Sequence, residues 1–174
     1  HSRNKGIKLA RGKFIAFLDS DDIWNKNKLL TQSNLMKKKK LLATHTSYDI
    51  LDKNNNFIKK RTSYNLNYHD LLNSCDIGLS TVMIHHKILK GKYLFPKLKT
   101  KEDYVLWLKI AKKGVTFYSI KKTLTKWTDR PNSLSKSLYQ KLKDAFIVYY
   151  RYEGFNFFKS LLKVAILSIN FLKK

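Results

Sequence analysis

The stretch FIAFLDSDDIW at residues 14–24 limits what this chain can become. The apolar run at 14–18 reads as a strand, and Asp19-Ser20-Asp21-Asp22 follows without a spacer. Three carboxylates on one turn repel one another, so something positive must offset them. A divalent cation is one solution, because Mg²⁺ or Mn²⁺ takes oxygen ligands from one or two carboxylates and from substrate phosphates. The start of a helix is the other, with Asp21 or Asp22 as N-cap. Either way the acids lie beyond the carboxyl end of a strand, where open α/β sheets bind their ligands.

The segments around this turn read as alternating helices and strands. Residues 3–10 form a helix and 13–18 the strand. A second helix at 26–40 carries Leu29, Leu30, Leu35 and Met36 at helical spacing. The KKKK run at 37–40 closes it as a solvated C-terminus that suits the helix dipole. Residues 41–50 are a strand, the three asparagines at 54–56 turn the chain, and 57–61 return as a hairpin partner. A short helix at 68–73, a strand at 80–86 and an amphipathic helix at 102–113, stopped by Gly114, come next. Residues 115–120 and 123–127 are extended, and from 138 the chain reads as helical almost to its end. A parallel sheet needs neighbours joined by crossovers of roughly 30 residues, yet only one helix precedes the 13–18 strand. The chain therefore reads as starting partway through a domain, with an N-terminal half encoded upstream as its companion.

Composition narrows the class further. At 174 residues and 43% hydrophobic, the chain can bury a core of its own. Its single cysteine, Cys75, excludes an internal disulfide framework. The first residues lack the apolar centre of a signal peptide, and no apolar run reaches the roughly 18–20 residues of a membrane span. Lys and Arg number 36 against 12 acids, a net charge of +24. Such a surface attracts polyanions and anionic lipid. No nucleic-acid motif accompanies the charge, so nucleic acid is not an expected partner.

A second acidic pair, Glu102-Asp103, opens the 102–113 helix. Ordinary capping explains it, since acids are favoured at a helix start. A carboxylate there also serves as a general base for an acceptor hydroxyl. Trp107 lies one turn further along the same face and offers either a wall for a sugar ring or simple core packing.

Three motifs together resemble those of family 2 glycosyltransferases, inverting enzymes with the GT-A fold. Arg3, Asn4 and Gly6 match an Arg-Asn-x-Gly helix, Asp19 and Asp21 an Asp-x-Asp motif, and Trp24, Lys28, Leu29 and Gln32 the helix that follows it. KEDYVLW at 101–107 resembles the Glu-Asp-x-x-x-Trp motif, and TDRPNSLS at 128–135 resembles a loop that closes over donor and acceptor. The resemblance covers most of residues 2–137. It implies a partial GT-A, Rossmann-like α/β fold, a mixed sheet with flanking helices, over residues 1–137, and a helical tail at 138–174. It implies a nucleotide-sugar donor, most often a UDP sugar, held by Arg3, Asp19, Asp21 and Arg130. Asp21 and Asp19 would bind Mg²⁺ or Mn²⁺, Asp103 would be the catalytic base, and Glu102 and Trp107 would meet the acceptor. A family member carries a further strand–helix–strand unit ahead of the Arg-Asn-x-Gly helix, so this chain by itself is expected to be inactive.

His85 and His86 point to opposite faces of a strand and do not form a shared metal site. His45 and Tyr48 line either the acceptor side or the core. The tail bears a wide apolar face bordered by Lys159, Lys163 and Asn170, which fits a helix at a membrane interface. The expected function is sugar transfer to a cell-surface glycan or lipid-linked acceptor, with the chain peripheral on the cytoplasmic face of a bacterial membrane. The alternative is a non-catalytic module that binds a glycan, lipid or partner.

Overall fold

A computed structural model describes residues 2–89, 94–129 and 137–173. After helix α1 (Ser2–Leu9), the apolar run forms strand β1 (Phe14–Ala16), and the acidic turn leads into a second short strand, β2 (Ile23–Trp24). Helix α2 (Lys28–Lys38) then hands the chain to β3 (Ala43–Leu51), which turns at the asparagines into β4 (Phe57–Arg61). A short α3 (Tyr68–Leu71), a 3₁₀ turn (Leu79–Thr81), β5 (Met83–His85) and α4 (His86–Leu89) lead to α5 (Glu102–Ala111). Strand β6 (Phe117–Thr128) and two C-terminal helices, α6 (Leu138–Ile147) and α7 (Phe157–Leu172), complete the chain, with a π turn (Val148–Tyr152) between those helices.

The strands form one mixed sheet in the order β1-β5-β3-β6-β2, with β4 on the far half of β3. β1 needs no crossover for a neighbour, because β5 pairs with it antiparallel, Ile15 opposite Ile84. Among the described residues, β3 and β6 make the one parallel pair, and its register slips at Ser47, opposite Thr123. The two extended stretches expected at 115–127 are thus one strand. The slip kinks it and throws Lys121 and Lys122 outward, exposed.

Helix α5 is apolar on every side and is buried accordingly, with Tyr104, Val105, Leu106, Trp107 and Leu108 all inaccessible to solvent. Gly114, at φ +82°, turns the chain out of it.

Helix α2 packs in an unexpected rotation. Its inward face is Lys28, Gln32 and Met36, while Leu29 and Leu30 are exposed. The Lys28 ammonium donates to Gln32 Oε1 at 2.7 Å and lies 4.3 Å from the Trp24 ring centroid. Gln32 Nε2 donates onward to Thr44 Oγ1 (3.1 Å) and the Thr81 carbonyl (3.0 Å). A polar ladder, satisfied at each rung, outcompetes two leucines for the inside position. Burial pushes the Lys28 ammonium down to about 7.

The C-terminal segment shares the core of the sheet. Ala145, Val148, Tyr149 and Leu167 belong to the same apolar cluster as α5. The buried Asp144 carboxylate accepts from Thr100 N and Oγ1, both at 2.8 Å. Tyr149 OH donates to the Leu72 carbonyl at 2.9 Å. Gly154, at φ +73°, breaks the helical run that sequence periodicity predicts as continuous. Helix α7 then lies with its polar stripe inward: Lys163 Nζ donates to Asn73 Oδ1 (2.7 Å) and Asn170 Nδ2 to the Asn73 carbonyl (2.9 Å). Phe158, Leu161, Leu162, Ile169 and Leu172 are left exposed. Among the described residues no helix is long and apolar enough to cross a membrane.

Candidate active site

The acidic turn is fastened from both sides. Asp22 N donates back to the Asp19 carbonyl at 3.1 Å, closing it. Asp19 N donates to Ser80 Oγ (3.1 Å), and Trp24 Nε1 to the Ser80 carbonyl (2.7 Å). From the end of β6, Thr128 Oγ1 donates to the Asp21 carbonyl at 2.9 Å. Neither Asp21 nor Asp22 caps α2, because β2 intervenes and Asn27 occupies the N-cap position. The plain capping role is thereby removed for this turn.

Arg3 bridges two carboxylates. Its Nη2 donates to Asp19 Oδ1 at 2.7 Å and its Nη1 to Glu102 Oε1, so α1 ties the end of β1 to the start of α5. Fork geometry makes a guanidinium suited to holding two anions at once.

Asp19, Asp22 and Asp103 line one cavity of about 610 Å³. Asp22 Oδ1 is buried without a hydrogen-bond partner. Burial pushes the Asp22 carboxyl up to about 6; Asp19 and Asp21 add to the rise, and Ser80 and the Thr128 backbone oppose it. Asp103 Oδ1 accepts from Tyr104 N at 2.8 Å. Burial and then the neighbouring Glu102 raise the Asp103 carboxyl to about 6 as well, against the pull of Tyr104 N, Lys101 and Arg3. Two carboxyls with raised values in one cavity are what acid–base chemistry near neutral pH requires.

Aromatic rings and cations complete the walls. Tyr48 and Trp127 lie along the cavity, and Arg61 and Lys141 stand with Phe171 on its wall too. Burial lifts the Tyr48 phenol to about 12.

The residues expected at the site divide as follows. Arg3, Asp19 and Glu102 come together as one ion-paired group, and Asp19 and Asp103 share the cavity. Asp21 is half-buried on the turn, and its charge acts on Asp22. Glu102 faces a separate cleft lined by Arg3, Asn4 and Phe95. Trp107 is not an acceptor wall. It is wholly buried among Phe17, Phe95 and Phe117, because the inner side of α5 packs on the sheet. Arg130 lies outside the described residues. His45 is a core residue whose Nε2 meets the Tyr64 carbonyl at 2.7 Å; burial drops its imidazole to about 4. His85 and His86 stand away from the cavity, against Phe14 and the Gly12 carbonyl. Cys75 is exposed on the cavity wall. Trp127 and Arg61 join the cavity wall without having been expected there, and Asp22, expected either as one of three carboxylates needing a cation or as a cap, lines it as well. Trp127 carried a usable signal, an aromatic at the end of a strand directly before Thr128-Asp129.

A mixed α/β sheet with carboxylates gathered beyond β1 defines a GT-A sugar-transferase fold. The structure of residues 1–349 of S. aureus TarS in complex with UDP-GlcNAc has this architecture, with a TM-score of 0.62 at 17% identity over 94% of this chain and 50% of that one. The family model for glycosyl transferase family 2 matches residues 1–95. TuaG, a glycosyltransferase assigned to teichuronic acid biosynthesis in Bacillus subtilis, is 32% identical over 161 residues, 91% of this chain and 64% of its own. The Escherichia coli UDP-Glc:α-D-GlcNAc-diphosphoundecaprenol β-1,3-glucosyltransferase WfgD is 36% identical over 143 residues, 82% of this chain and 56% of its own. The chain belongs to glycosyltransferase family 2. It spans less than two thirds of the length of these curated relatives.

Proposed function

We propose that the chain carries the acceptor-activating part of an inverting glycosyltransferase that moves a sugar from a UDP sugar to a lipid-linked or cell-surface glycan. The observation that carries this is the Asp103 carboxyl, raised to about 6, in one cavity with Asp19 and Asp22. The UDP-GlcNAc held by TarS and the diphosphoundecaprenol acceptor in the name of WfgD support the two substrate classes.

Asp103 takes the proton of the acceptor hydroxyl onto a carboxylate oxygen. The freed oxygen bonds to the anomeric carbon as the bond from that carbon to the diphosphate oxygen breaks, which inverts the centre. Arg3 holds Asp19 toward the donor and Glu102 away from the cavity. Trp127 and Tyr48 give apolar faces for sugar rings. The orphaned Asp22 Oδ1 beside Asp19 fits a hard divalent ion completed by substrate phosphates. Among the described residues no group of three acidic, His or Cys side chains could hold a metal ion by itself, so Asp21 and Asp19 would hold Mg²⁺ or Mn²⁺ only together with substrate phosphates, and the ion would supply charge neutralisation for the departing nucleoside diphosphate.

Titration calorimetry with UDP-GlcNAc and UDP-glucose, with and without Mn²⁺, on the chain joined to the further strand–helix–strand unit that its family carries tests the reading. Uptake is expected to need Mn²⁺ and to weaken by about tenfold or more, ~1.4 kcal/mol, in Asp21→Asn and Asp22→Asn. Manganese-independent behaviour, or no uptake of any UDP sugar, overturns it.

The exposed stripe on α7 and the net charge of +24 support a peripheral seat on the anionic cytoplasmic face of a membrane. Cosedimentation with phosphatidylglycerol vesicles at low salt is expected, and the pair Phe158→Glu and Leu162→Glu should abolish it without loss of helix content. An unmodified chain that stays in the supernatant refutes the seat.

A further inference from the structure

Ser80 is only 2% exposed, yet it lines the cavity that holds Asp19, Asp22 and Asp103. It is the middle residue of the 3₁₀ turn before β5, and distant segments converge on it. Trp24 Nε1 donates to its carbonyl at 2.7 Å, and Thr125 Oγ1 to the same atom at 3.3 Å. Gln32 Nε2 donates to the next carbonyl, that of Thr81, at 3.0 Å. Lys28 joins the two sides, because its ammonium donates to Gln32 Oε1 and also lies over the Trp24 ring. Lys28, Trp24, Ser80, Thr81 and Gln32 thus close a ring of contacts. Burying a lysine to complete that ring is costly, and no step of the transfer uses its ammonium. The ring holds the backbone at 80–81 in one place relative to β2 and α2.

The Ser80 side chain has other partners. Its Oγ accepts from Asp19 N at 3.1 Å, at the first residue of the acidic turn. A hydroxyl that accepts in this way keeps its own proton, and that proton favours the anionic form of the Asp22 carboxyl. Asp19 and Asp22 are the two ends of the turn, closed by the bond from Asp22 N to the Asp19 carbonyl. One hydroxyl therefore acts on both ends. The bonds that fix residues 80–81 to Trp24, Thr125 and Gln32 all run to main-chain carbonyls, so removing Oγ leaves the ring standing and loosens only the turn. We propose that Ser80 is a positioning residue whose hydroxyl holds the carboxylates of the Asp19–Asp22 turn in the arrangement that takes up a cation-bound donor. This rests on the transferase reading and adds to it the residue that sets the turn.

Amide exchange on the chain, and calorimetry on the chain joined to the further strand–helix–strand unit of its family, test the role separately. In Ser80→Ala the Asp19 amide should exchange about tenfold faster or more, while the urea midpoint moves by no more than about 0.5 M, the shift expected for one hydrogen bond. Mn²⁺-assisted uptake of UDP-GlcNAc or UDP-glucose should weaken about tenfold. Ser80→Cys keeps the size of the side chain but accepts only weakly, so it should follow Ser80→Ala in both measurements. A cysteine variant that behaves like the unmodified chain overturns the role, because Ser80 would then only fill space. Unchanged uptake in Ser80→Ala overturns it whatever the amide does. A large fall in the midpoint of both variants overturns it too, since the hydroxyl would then be holding the fold. No Mn²⁺-assisted uptake by the unmodified joined chain removes the transferase reading and this role with it. Uptake that is present and equal in Ser80→Ala removes this role alone.

Discussion

Asp103→Asn, in the chain joined to the further strand–helix–strand unit its family carries, is expected to lower sugar transfer by about 10²–10⁴-fold, the range of a positioned general base. The amide keeps the shape of the side chain and its bond from Tyr104 N, so the loss should fall on turnover. The working form is the carboxylate. With its carboxyl raised to about 6, kcat/KM should climb through pH 6 and flatten above about pH 7, and this limb should vanish in the variant. Asp22 titrates in the same range, so Asp22→Asn separates the two contributions. Stability should move the other way. A carboxyl raised above its unfolded value binds extra protons in the folded state, so stability falls as pH rises from about 4 to 6 and the deficit remains at neutral pH. Removing that carboxylate should therefore raise neutral-pH stability, by an amount on the order of 1 kcal/mol for a partly screened group. Urea denaturation alongside the transfer assay checks both signs. A variant that keeps its turnover, or that merely unfolds, removes Asp103 from the role of base.

Trp107→Ala should destabilise the fold by roughly 3–5 kcal/mol, the cost of an aromatic cavity in a rigid core. The indole is surrounded by Phe17, Phe95 and Phe117, with centroids 5.5–6.3 Å away, and these neighbours come from the residue just past β1, from the loop before α5 and from β6. They cannot close together without moving the sheet. Trp107→Phe should cost much less, because the buried Nε1 has no partner to lose. Trp127→Ala should show the reverse pattern, with little change in stability and a clear loss of sugar binding, since Trp127 is half-buried on the cavity wall. Denaturant midpoints for the three variants decide between core and wall. A Trp107→Ala protein of unchanged stability would refute the assignment of that indole to the core.

What could be read from the chain depended on how locally each feature is determined. Helix α5 was legible because its acids, its apolar run and Gly114 lie within thirteen residues of one another. The β3–β4 hairpin was legible from three asparagines between alternating segments, and the acidic turn from composition alone. Pairing between distant segments was not. β1 finds β5 some seventy residues later in sequence, and β3 finds β6 at a comparable distance. Trp127 and Arg61 reach the cavity only through such long-range pairings, so nothing next to either residue announced its place. Helix α2 misled periodicity because it turns polar side chains inward, toward Thr44 and Thr81, and a partner that satisfies those groups appears only in three dimensions. Trp107 was ambiguous because an aromatic one turn from Asp103 is on the same helix face as the core whenever the helix is buried all round.

The Arg3 bridge has a consequence for which ionic form of a substrate gets in. From afar the molecule is a strong attractor of polyanions, with 36 cationic residues against 12 acidic ones. Its reach in physiological salt is about 8 Å. Over the last few ångströms the local balance changes, because Asp19, Asp22 and Asp103 line the cavity and the Arg3 guanidinium is already shared by Asp19 and Glu102. At those carboxylates a bare nucleoside diphosphate is repelled, while one already complexed with a cation has less charge to be repelled. Added salt should thin out the crowd at the door and leave the doorkeeper unchanged.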